Sequence, residues 1–325
     1  MEDLLPPFPS SWYCIGLSRE FAAGAVKPVR LGSQELVAYR TESGALRLTD
    51  AYCPHLGAHL GTTGSVEGET IRCGFHGFCF DGSGQCVSTP YGGRLPPKSR
   101  LRSVPVQEIH GLVMAWLGEG EPQWHIPDVE TDSWSDWQFH VFRFRGHPQE
   151  VAENSVDVGH FGETHKYRQV RTIAAMTHEG PYLTASYGME RPIMFAGREL
   201  AAMDAEFTIH QWGLGYARVE VNTPSMGVRT RQMVLACPVG EYAMELRVAM
   251  AIQHGALGTV SKVLPAAWLA NMLARIGIRQ YVHDVSMDVP IWNSKRYLAP
   301  PILAEGDGPV GPYRRWARQF YAAAA

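Results

Sequence analysis

The chain has 325 residues, of which 45% are hydrophobic and 19% are charged, and its formal net charge is −3. This length suits one large domain or two ordinary ones, and the apolar content is sufficient for a packed core. The small negative charge gives no indication of nucleic acid or of an anionic membrane surface as a partner.

The sequence predicts neither export nor membrane insertion. The segment Met1–Pro7 is acidic and interrupted by proline, unlike a signal peptide. The apolar run Leu264–Ile278 contains Asn271 and Arg275, so it is too short and too polar to span a bilayer. The six cysteines form no evident disulfide framework, which fits a reducing cytoplasm, and we expect a cytoplasmic protein.

The first third of the chain predicts short antiparallel strands bounded by glycine and serine turns. The predicted strands are Trp12–Gly16, Pro28–Leu31, Gln34–Arg40, Leu46–Thr49, Val104–Ile109 and Leu112–Leu117. The stretch Gly118–Pro122 indicates a boundary. We therefore expect a β domain at residues 1–120 and a second domain at residues 121–325.

Two short clips in the β domain carry candidate metal ligands. The first contains Cys53 and His55, the second contains Cys73 and His76, and seventeen residues separate His55 from Cys73. A Rieske [2Fe–2S] cluster takes two thiolates on one iron and two imidazoles on the other. These four residues therefore predict such a cluster.

A zinc site is the alternative, since zinc accepts two cysteines and two histidines. Zinc fingers usually pair cysteine with cysteine and histidine with histidine, whereas each clip here carries one of each, which favours the cluster. Gly57, Gly74 and Gly77 lie in the clips, where we expect them to let the backbone approach the sulfurs and to adopt positive φ angles.

Two positions distinguish this predicted cluster from that of respiratory cytochrome bc complexes. There, an additional cysteine in each clip forms a disulfide beside the cluster. The corresponding residues here are Ala58 and Phe75, so this disulfide cannot form. The sequence therefore favours the lower-potential oxygenase or ferredoxin type.

A second group of polar residues follows the predicted boundary. Asn154, Asp157 and His160 recur at every third position, so they would share one face of a helix. His165 comes five residues after His160, which is about 140° away on a straight helix. Both histidines can bind one ion only if the helix is distorted or ends between them.

Gly159 and Gly162 would permit such a break. Two histidines and a carboxylate on one face of a metal form the facial triad of non-haem Fe(II) oxygenases, which leaves positions open for O₂. A surface helix with incidental histidines is the alternative. The cluster motif earlier in the chain favours the iron site.

Together, the two motifs resemble the terminal oxygenase component of Rieske non-haem iron oxygenases. Asn154, Asp157, His160 and His165 match the motif Asn/Glu-x-x-Asp-x-x-His-x₄-His of this family, and the resemblance covers the whole chain. It implies an α+β architecture, with an N-terminal all-β Rieske domain followed by a catalytic domain of helix-grip (START-like) fold with an antiparallel sheet. It also implies catalytic roles for Asn154 and Asp157.

The resemblance implies that His160 and His165 ligate a mononuclear Fe(II). It further implies that Asp157 links this iron site to a Rieske histidine of a neighbouring subunit, because a carboxylate can hydrogen-bond two imidazoles and orient both. Two residues depart from the family pattern. Phe78 stands where tryptophan is frequent and Gly74 where proline is common, but neither change removes a ligand.

The third iron ligand is expected to be a carboxylate from a distant segment. Asp284 and Asp288 lie four residues apart on one side of a predicted helix, whose regular continuation Pro290 would limit. Oxygenases resembling ketosteroid 9α-hydroxylase and cholesterol 7-desaturase carry a Gln-Asp-x-x-Ile-Trp pattern in this region. The match to Asp288–Trp292 favours Asp288 as the ligand, with Asp284 as the alternative.

Eight of the twelve methionines lie between residues 176 and 250, among strand-like runs. A curved sheet of these strands would line a cavity over the iron, and methionine fills irregular apolar space. This favours a lipophilic, polycyclic, steroid-like substrate, although ordinary core packing would use the same residues. Arg191, Arg198, Arg229 and Arg231 could instead bind the carboxylate of a small aromatic acid, but most are expected on the exposed strand face.

The sequence contains no complete glycine fingerprint for a dinucleotide, so we expect a separate NAD(P)H-dependent reductase or a ferredoxin to supply electrons. The resemblance also implies a head-to-tail homotrimer. We expect an O₂-dependent oxidoreductase, with monooxygenation favoured over dihydroxylation, desaturation and oxidative demethylation. A Rieske electron carrier with a binding domain and a structural zinc protein are the alternatives, and the long second domain argues for catalysis.

Overall fold

The computed structural model describes residues 5–195, 198–255 and 265–321. They form two compact units, of which the first comprises Trp12–Asp128 with Val239–Glu241 and the second the remaining described residues. We call the first the Rieske unit and the second the catalytic unit. The division of the domains at residue 120 stays a prediction.

The Rieske unit is built from short strands in three sheets. The strands are β1 (Ser11–Leu17), β2 (Val26–Leu31), β3 (Gln34–Arg40), β4 (Leu46–Asp50), β5 (Ser65–Glu67), β6 (Thr70–Arg72), β7 (Cys79–Phe80), β8 (Cys86–Ser88), β9 (Val106–Ile109) and β10 (Leu112–Leu117). The strand orders are β1-β10-β9, β2-β3-β4 and β5-β6-β7-β8. A single-turn helix α1 (Leu60–Thr63) and a 3₁₀ turn (Ser18–Glu20) complete the unit.

The predicted hairpins of this unit are confirmed. Strands β2 and β3 pair antiparallel across Gly32, whose φ angle of +59° suits glycine. Strands β9 and β10 pair in the same way. The core beneath the clips includes both Cys53 and Cys73, packed with apolar side chains such as Phe80. The predicted cluster thiols therefore lie inside this unit.

The catalytic unit contains a seven-stranded, mainly antiparallel sheet. Its strands are β11 (Gln138–Arg145), β12 (Arg168–Glu179), β13 (Tyr182–Phe195), β14 (Arg198–Trp212), β15 (Tyr216–Thr223), β16 (Val228–Gly240) and β17 (Ala243–Ile252), in the spatial order β11-β17-β16-β15-β14-β13-β12. Its helices are α2 (Pro148–Glu153), α3 (Val158–Glu163), α4 (Ala266–Ser294) and α5 (Val310–Ala317), with 3₁₀ turns at Pro224–Met226 and Arg318–Phe320. This arrangement confirms the predicted α+β fold class.

Helix α4 packs on the sheet through one apolar stripe. Its buried residues Ala270, Ala274, Tyr281 and Val285 recur at helical spacing and contact the inward-facing side chains of β17. A Cβ atom at Gly277 would lie 2.9 Å from the Cε atom of Met250, so glycine permits the close approach of helix and strand. The stripe brings both Asp284 and Asp288 to the sheet side of α4.

The predicted limit at Pro290 is wrong, because α4 continues through this residue to Ser294. Leu264, the first residue of the apolar run, lies outside the described residues. None of the helices in the described part of the chain combines the length and the apolar content that a bilayer crossing requires.

The C-terminal residues hold the short helices α2 and α3. Arg314 of α5 donates two hydrogen bonds to Glu153 at the end of α2, at 2.6 and 2.9 Å. The carbonyl of Asp307 accepts from the backbone N–H of Val158 at the start of α3, at 3.1 Å. A Cβ at Gly308 would lie 2.3 Å from the carbonyl oxygen of Val156. The last residues of the chain therefore fix the segment between α2 and α3.

Candidate active site

The two clips of the Rieske unit share one backbone pattern. In the first clip, Cys53 N–H donates to Ala58 and Gly57 N–H donates to Cys53, each at 2.9 Å. In the second, the same bonds join Cys73 to Phe78 at 2.8 Å and Gly77 to Cys73 at 2.9 Å. The two loops are therefore near-equivalent supports for one cysteine and one histidine each.

The predicted conformations hold for two of the three clip glycines. Gly57 and Gly77 have φ angles of +75° and +67°, as expected for the turns that follow the histidines. Gly74 is required for space instead, because a Cβ there would lie 2.1 Å from the carbonyl oxygen of Thr63. This contact explains why proline does not occupy position 74 in this chain.

The four predicted cluster ligands converge. Cys53 and Cys73 are almost fully buried, whereas His55 and His76 are half-buried, with ring centroids 4.7 Å apart. The Nδ1 atom of His55 is buried and has no hydrogen-bond partner among the described residues. A buried, unpaired imidazole nitrogen is available for a metal. The donor set and its burial therefore fit a Rieske cluster.

Aromatic rings flank both histidines. Phe78, which stands in the place of the frequent tryptophan, stacks on His55 with ring centroids 4.3 Å apart and an interplanar angle of 13°. Phe75 contacts His76 at 3.8 Å between centroids, and its side chain is 60% exposed. All six cysteines are free thiols, and no disulfide joins positions 58 and 75.

In the catalytic unit, Asn154, Asp157 and His160 do not share one continuous helix, so that prediction is wrong. Helix α2 ends with Asn154 as its C-cap, and α3 begins after Asp157, whose carboxylate accepts from the His160 N–H at 3.2 Å. An aspartate at this N-cap position satisfies a free backbone donor. The spacing of three residues therefore does not mark one helix face. Asn154 is a C-cap, Asp157 is an N-cap, and His160 is a ligand candidate.

The predicted helix end between His160 and His165 is confirmed, since α3 stops at Glu163. Gly159 and Gly162 do not produce it, because both lie inside α3 without a positive φ angle. The chain instead turns at Lys166, whose φ angle is +59°. His165 leaves the helix and points to the side of α4 that carries the two aspartates.

His160, His165 and Asp288 form a compact cluster, with one ligand atom from each lying within 4.8 Å of the others. The Nε2 atom of His165 is 3.5 Å from the Oδ2 atom of Asp288, and the two imidazole centroids are 5.0 Å apart. His165 and Asp288 are buried, and His160 is half-buried. Two imidazoles and one carboxylate are the donor set of a non-haem Fe(II) site.

Neighbouring groups orient two members of this cluster. The Nδ1 atom of His160 lies 2.5 Å from the carbonyl oxygen of Asp157, which can only accept, so the proton is on Nδ1 and Nε2 is free. The side chain of Asn154 hydrogen-bonds Asp288. Both contacts hold ligand candidates in place.

Burial favours the neutral forms of His165 and Asp288. It raises the pKa of Asp288 to about 6 and lowers the pKa of His165 to about 4. A neutral imidazole is the form that binds a metal, and a cation at the site would favour the ionised carboxylate of Asp288. The electrostatics therefore suit a divalent cation.

Asp284, the alternative ligand, is engaged elsewhere. Its Oδ2 atom accepts from Arg191 in a buried ion pair and from the hydroxyl of Tyr167 at 3.0 Å. Its Oδ1 atom accepts from Gln280 at 2.8 Å. The sequence did not point to Tyr167 or Gln280, and it indicated Arg191 only as a possible partner of a substrate carboxylate.

An apolar cavity of about 150 Å³ adjoins the cluster and is lined by His160, His165 and Asp288. Its apolar wall includes Phe161, Phe207, Ile209, Val219, Val234 and Leu246. The predicted cavity in the curved sheet is therefore present, but none of the described lining residues is methionine. Met244 and Met250 pack instead in the core between α4 and the sheet, whereas Met226 is exposed.

The predicted arginines differ in position. Arg191 and Arg231 are buried, with side-chain partners Asp284 and Glu220, whereas Arg229 is exposed. The expectation that most lie on the exposed strand face is therefore wrong for two of these three. The side chain of Arg198 lies outside the described residues.

Two family models match the chain, one over each of its two parts. Residues 11–105 match the Rieske [2Fe-2S] domain, and residues 117–321 match the 3-Ketosteroid 9alpha-hydroxylase C-terminal domain. The chain is 30% identical to cholesterol 7-desaturase nvd of Bombyx mori, over 98% of this chain and 70% of that protein. It is 29% identical to a 3-ketosteroid-9-alpha-monooxygenase oxygenase component of Rhodococcus rhodochrous, over 97% of this chain and 81% of that protein.

The fold also matches solved structures. NdmA of Pseudomonas putida CBB5, solved with caffeine, superposes with a TM-score of 0.74 at 18% identity, over 94% of this chain and 89% of that one. The predicted enzyme class is confirmed, and the matches favour it over the electron carrier and the zinc protein. The protein is an oxidoreductase that uses a [2Fe–2S] cluster, a mononuclear non-haem iron and O₂. The chain belongs to the Rieske non-haem iron oxygenases, in the family of the 3-ketosteroid 9alpha-hydroxylase C-terminal domain.

Proposed function

We propose that the chain is a monooxygenase that hydroxylates an uncharged, lipophilic, polycyclic substrate of steroid type. The observation that carries this proposal is the apolar cavity next to His160, His165 and Asp288. Burial of an apolar substrate against this apolar wall is favourable, and it would hold the substrate next to the metal site.

His160, His165 and Asp288 would hold the mononuclear iron, and Cys53, His55, Cys73 and His76 would hold the cluster. When bound, the two centres supply single electrons and activate O₂. The residues of the chain orient the metal ligands and keep water away from the substrate. The carbonyl of Asp157 keeps the Nε2 atom of His160 free for the metal, and the cavity wall excludes water from the substrate.

The charge balance of the cavity favours a neutral substrate over a small aromatic acid. Among the described residues that line the cavity, Arg191 is the single arginine, and its charge is compensated by Asp284. Binding a carboxylate there would leave an additional buried negative charge, which is costly. A ketone or a hydroxyl group would not carry this cost.

The names of the relatives agree with a sterol-type substrate, since they include 3-ketosteroid-9-alpha-monooxygenase and cholesterol 7-desaturase. Hydroxylation and desaturation both begin from a C–H bond held near the same metal. We favour hydroxylation, and desaturation is the alternative outcome of the same experiment.

We also propose that electrons come from a separate NAD(P)H-dependent reductase or a ferredoxin in the cytoplasm, since the Rhodococcus relative is called an oxygenase component. We further propose a head-to-tail homotrimer in which Asp157 receives a Rieske histidine of the neighbouring subunit. The side chain of Asp157 is 36% exposed, so part of its carboxylate remains reachable. The boundary between the two domains is placed near residue 120.

The test is turnover with a surrogate reductase against a panel of steroids and small aromatic acids. We expect O₂ consumption and a product that has gained one oxygen atom with a neutral steroid, and no turnover in a His160→Ala variant. Turnover restricted to aromatic acids would overturn the substrate class, and a product lacking two hydrogens would indicate desaturation. Full activity in the His160→Ala variant would contradict the iron site itself.

A further inference from the structure

Two carboxylates, not one, face the cavity from helix α4. Asp284 and Asp288 are each only 6% exposed, and both line the same cavity. Residues four apart on a helix have neighbouring side chains. A divalent cation attracts every nearby carboxylate. Helical spacing alone therefore does not explain why Asp284 lies apart from the candidate metal ligands.

The structure shows what separates them. Only Asp288 belongs to the cluster of ligand atoms with His160 and His165 among the described residues. Asp284 instead accepts hydrogen bonds on both of its oxygens, from Arg191 and Tyr167 on one and from Gln280 on the other. The charge of Asp284 is therefore paired, and three of its roughly four lone-pair sites accept hydrogen bonds.

Arg191 is the charged member of this set. Its side chain is buried and comes from strand β13, whereas Asp284 lies on α4. Its guanidinium also lies over the ring of Tyr167, with 5.8 Å to the ring centroid. A guanidinium in this position fixes both the ionised state and the direction of the carboxylate that it contacts.

We propose that Arg191 selects the ligand set of the mononuclear iron. By holding Asp284 in a buried ion pair, it keeps this carboxylate off the metal, so that Asp288 is the single carboxylate ligand and the remaining coordination positions stay open to exogenous ligands. Arg191 is thus a positioning residue, and its role rests on the iron site of the proposed function.

Removal of Arg191 leaves Asp284 as an uncompensated buried charge beside the iron. Breaking one side of a buried ion pair is strongly destabilising, whereas replacing both partners with apolar groups is often neutral. In an Arg191→Met variant, the iron is the nearest remaining cation for Asp284. We expect Asp284 to move onto the iron and to occupy positions that are open in the wild-type protein.

Nitric oxide tests this prediction, because it binds ferrous iron only at open positions and gives a characteristic electron paramagnetic resonance signal. The signal is measured per mononuclear iron in the reduced, full-length protein. We expect it to fall severalfold in Arg191→Met and to return in Arg191→Met/Asp284→Leu, which lacks the competing carboxylate. Arg231→Met is the control, since it removes another buried arginine of the same sheet, which pairs with the half-buried Glu220 at 2.8 Å.

A normal signal per iron in Arg191→Met, with reduced stability alone, would overturn the proposal and leave Arg191 a purely structural residue. If Arg191→Met does not accumulate as folded protein, Arg191→Gln and Arg231→Gln give the same comparison, because glutamine keeps a hydrogen-bond donor but removes the charge. Equal signals in these two variants would also overturn it. A wild-type protein without any signal would instead refute the iron site, and the role of Arg191 with it.

Discussion

The Nε2 atom of His165 lies 3.5 Å from the Oδ2 atom of Asp288, although one residue follows the short helix α3 and the other lies near the end of α4. The candidate iron site therefore depends on the packing of α4 against the sheet as much as on the motif that contains both histidines. We therefore expect a substitution of His165 or Asp288 to reduce metal binding more than it reduces the stability of the fold.

Removing the carboxylate of Asp288 should release the mononuclear iron. We expect wild-type protein to contain about three irons per chain, two in the cluster and one in the catalytic unit, and Asp288→Ala to contain about two. Iron analysis together with the visible spectrum of the cluster measures this difference. Asp204→Ala, which removes a half-exposed carboxylate of the same sheet, should keep all three irons, and a full complement of iron in Asp288→Ala would contradict the assignment.

Asp157 has two separable roles, because its carboxylate caps α3 and is also the proposed link to the Rieske centre. We expect Asp157→Ala to lose turnover and about 1 kcal/mol of stability, since a helix cap is lost. Asp157→Asn should lose turnover but keep most of the stability, because asparagine is also a good N-cap. Both variants should retain their iron, and normal turnover in either would refute the linking role.

Replacing two glycines near the site with alanine should change the stability of the protein in opposite directions. Gly308→Ala places a Cβ 2.3 Å from the Val156 carbonyl at a φ angle of +85°, and we expect it to cost about 2 kcal/mol or more and to lower the iron content. In Gly162→Ala the new Cβ would lie an ordinary 3.8 Å from the Tyr167 carbonyl oxygen, so the variant should gain about 0.5 kcal/mol of stability. Chemical denaturation of the full chain measures both, and equal stabilities would contradict the structure of this segment.

The stability of the catalytic unit should fall below neutral pH. His147 is buried, its Nε2 atom donates to the Pro6 carbonyl at 3.0 Å and its Nδ1 atom accepts from Gln149 N–H at 3.1 Å, so the ring is neutral. Burial lowers the pKa of His147 to about 4, against about 6.5 in an unfolded chain. Between these values only the unfolded state binds the proton, so the free energy of unfolding should decrease by about 3 kcal/mol as the pH falls from about 6.5 to about 4.

Denaturant titrations of the wild type and of His147→Gln across this range test the effect. The difference in stability between the two proteins should shrink as the pH falls, because the variant has no imidazole to protonate. A constant difference would show that His147 does not carry the pH dependence.

The Rieske ligands could be predicted from the sequence because each clip is a local structure. Cys53 and His55, like Cys73 and His76, lie within one turn, so their spacing already determines which side chains meet. The hairpin across Gly32 was predictable for the same reason. The roles of the site residues as ligands stay predictions, although the structure brings these residues together.

The arrangement around α3 was harder to predict, because the cap residues of two successive helices have the same spacing as residues on one face of a single helix. Asp157 carries an N-cap signal, but Asn154, Asp157 and His160 fit helical periodicity equally well. The ion pair of Arg191 with Asp284 joins β13 to α4, and no local pattern encodes such a contact. The methionines were misassigned to the cavity because composition does not reveal which face of a strand is turned inward.

The backbone contacts of Asp307 and Gly308 with the segment between α2 and α3 also have a consequence for biosynthesis. Asp307 and Gly308, which support the segment containing His160, follow every strand of the sheet in the sequence, and Arg314 contributes in the same way through Glu153. A nascent chain on the ribosome can form the Trp12–Asp128 part of the Rieske unit before residues 307–314, which provide these supports, have been synthesised. We therefore expect the backbone supports of the catalytic site to form later in synthesis than the two clips of the Rieske unit.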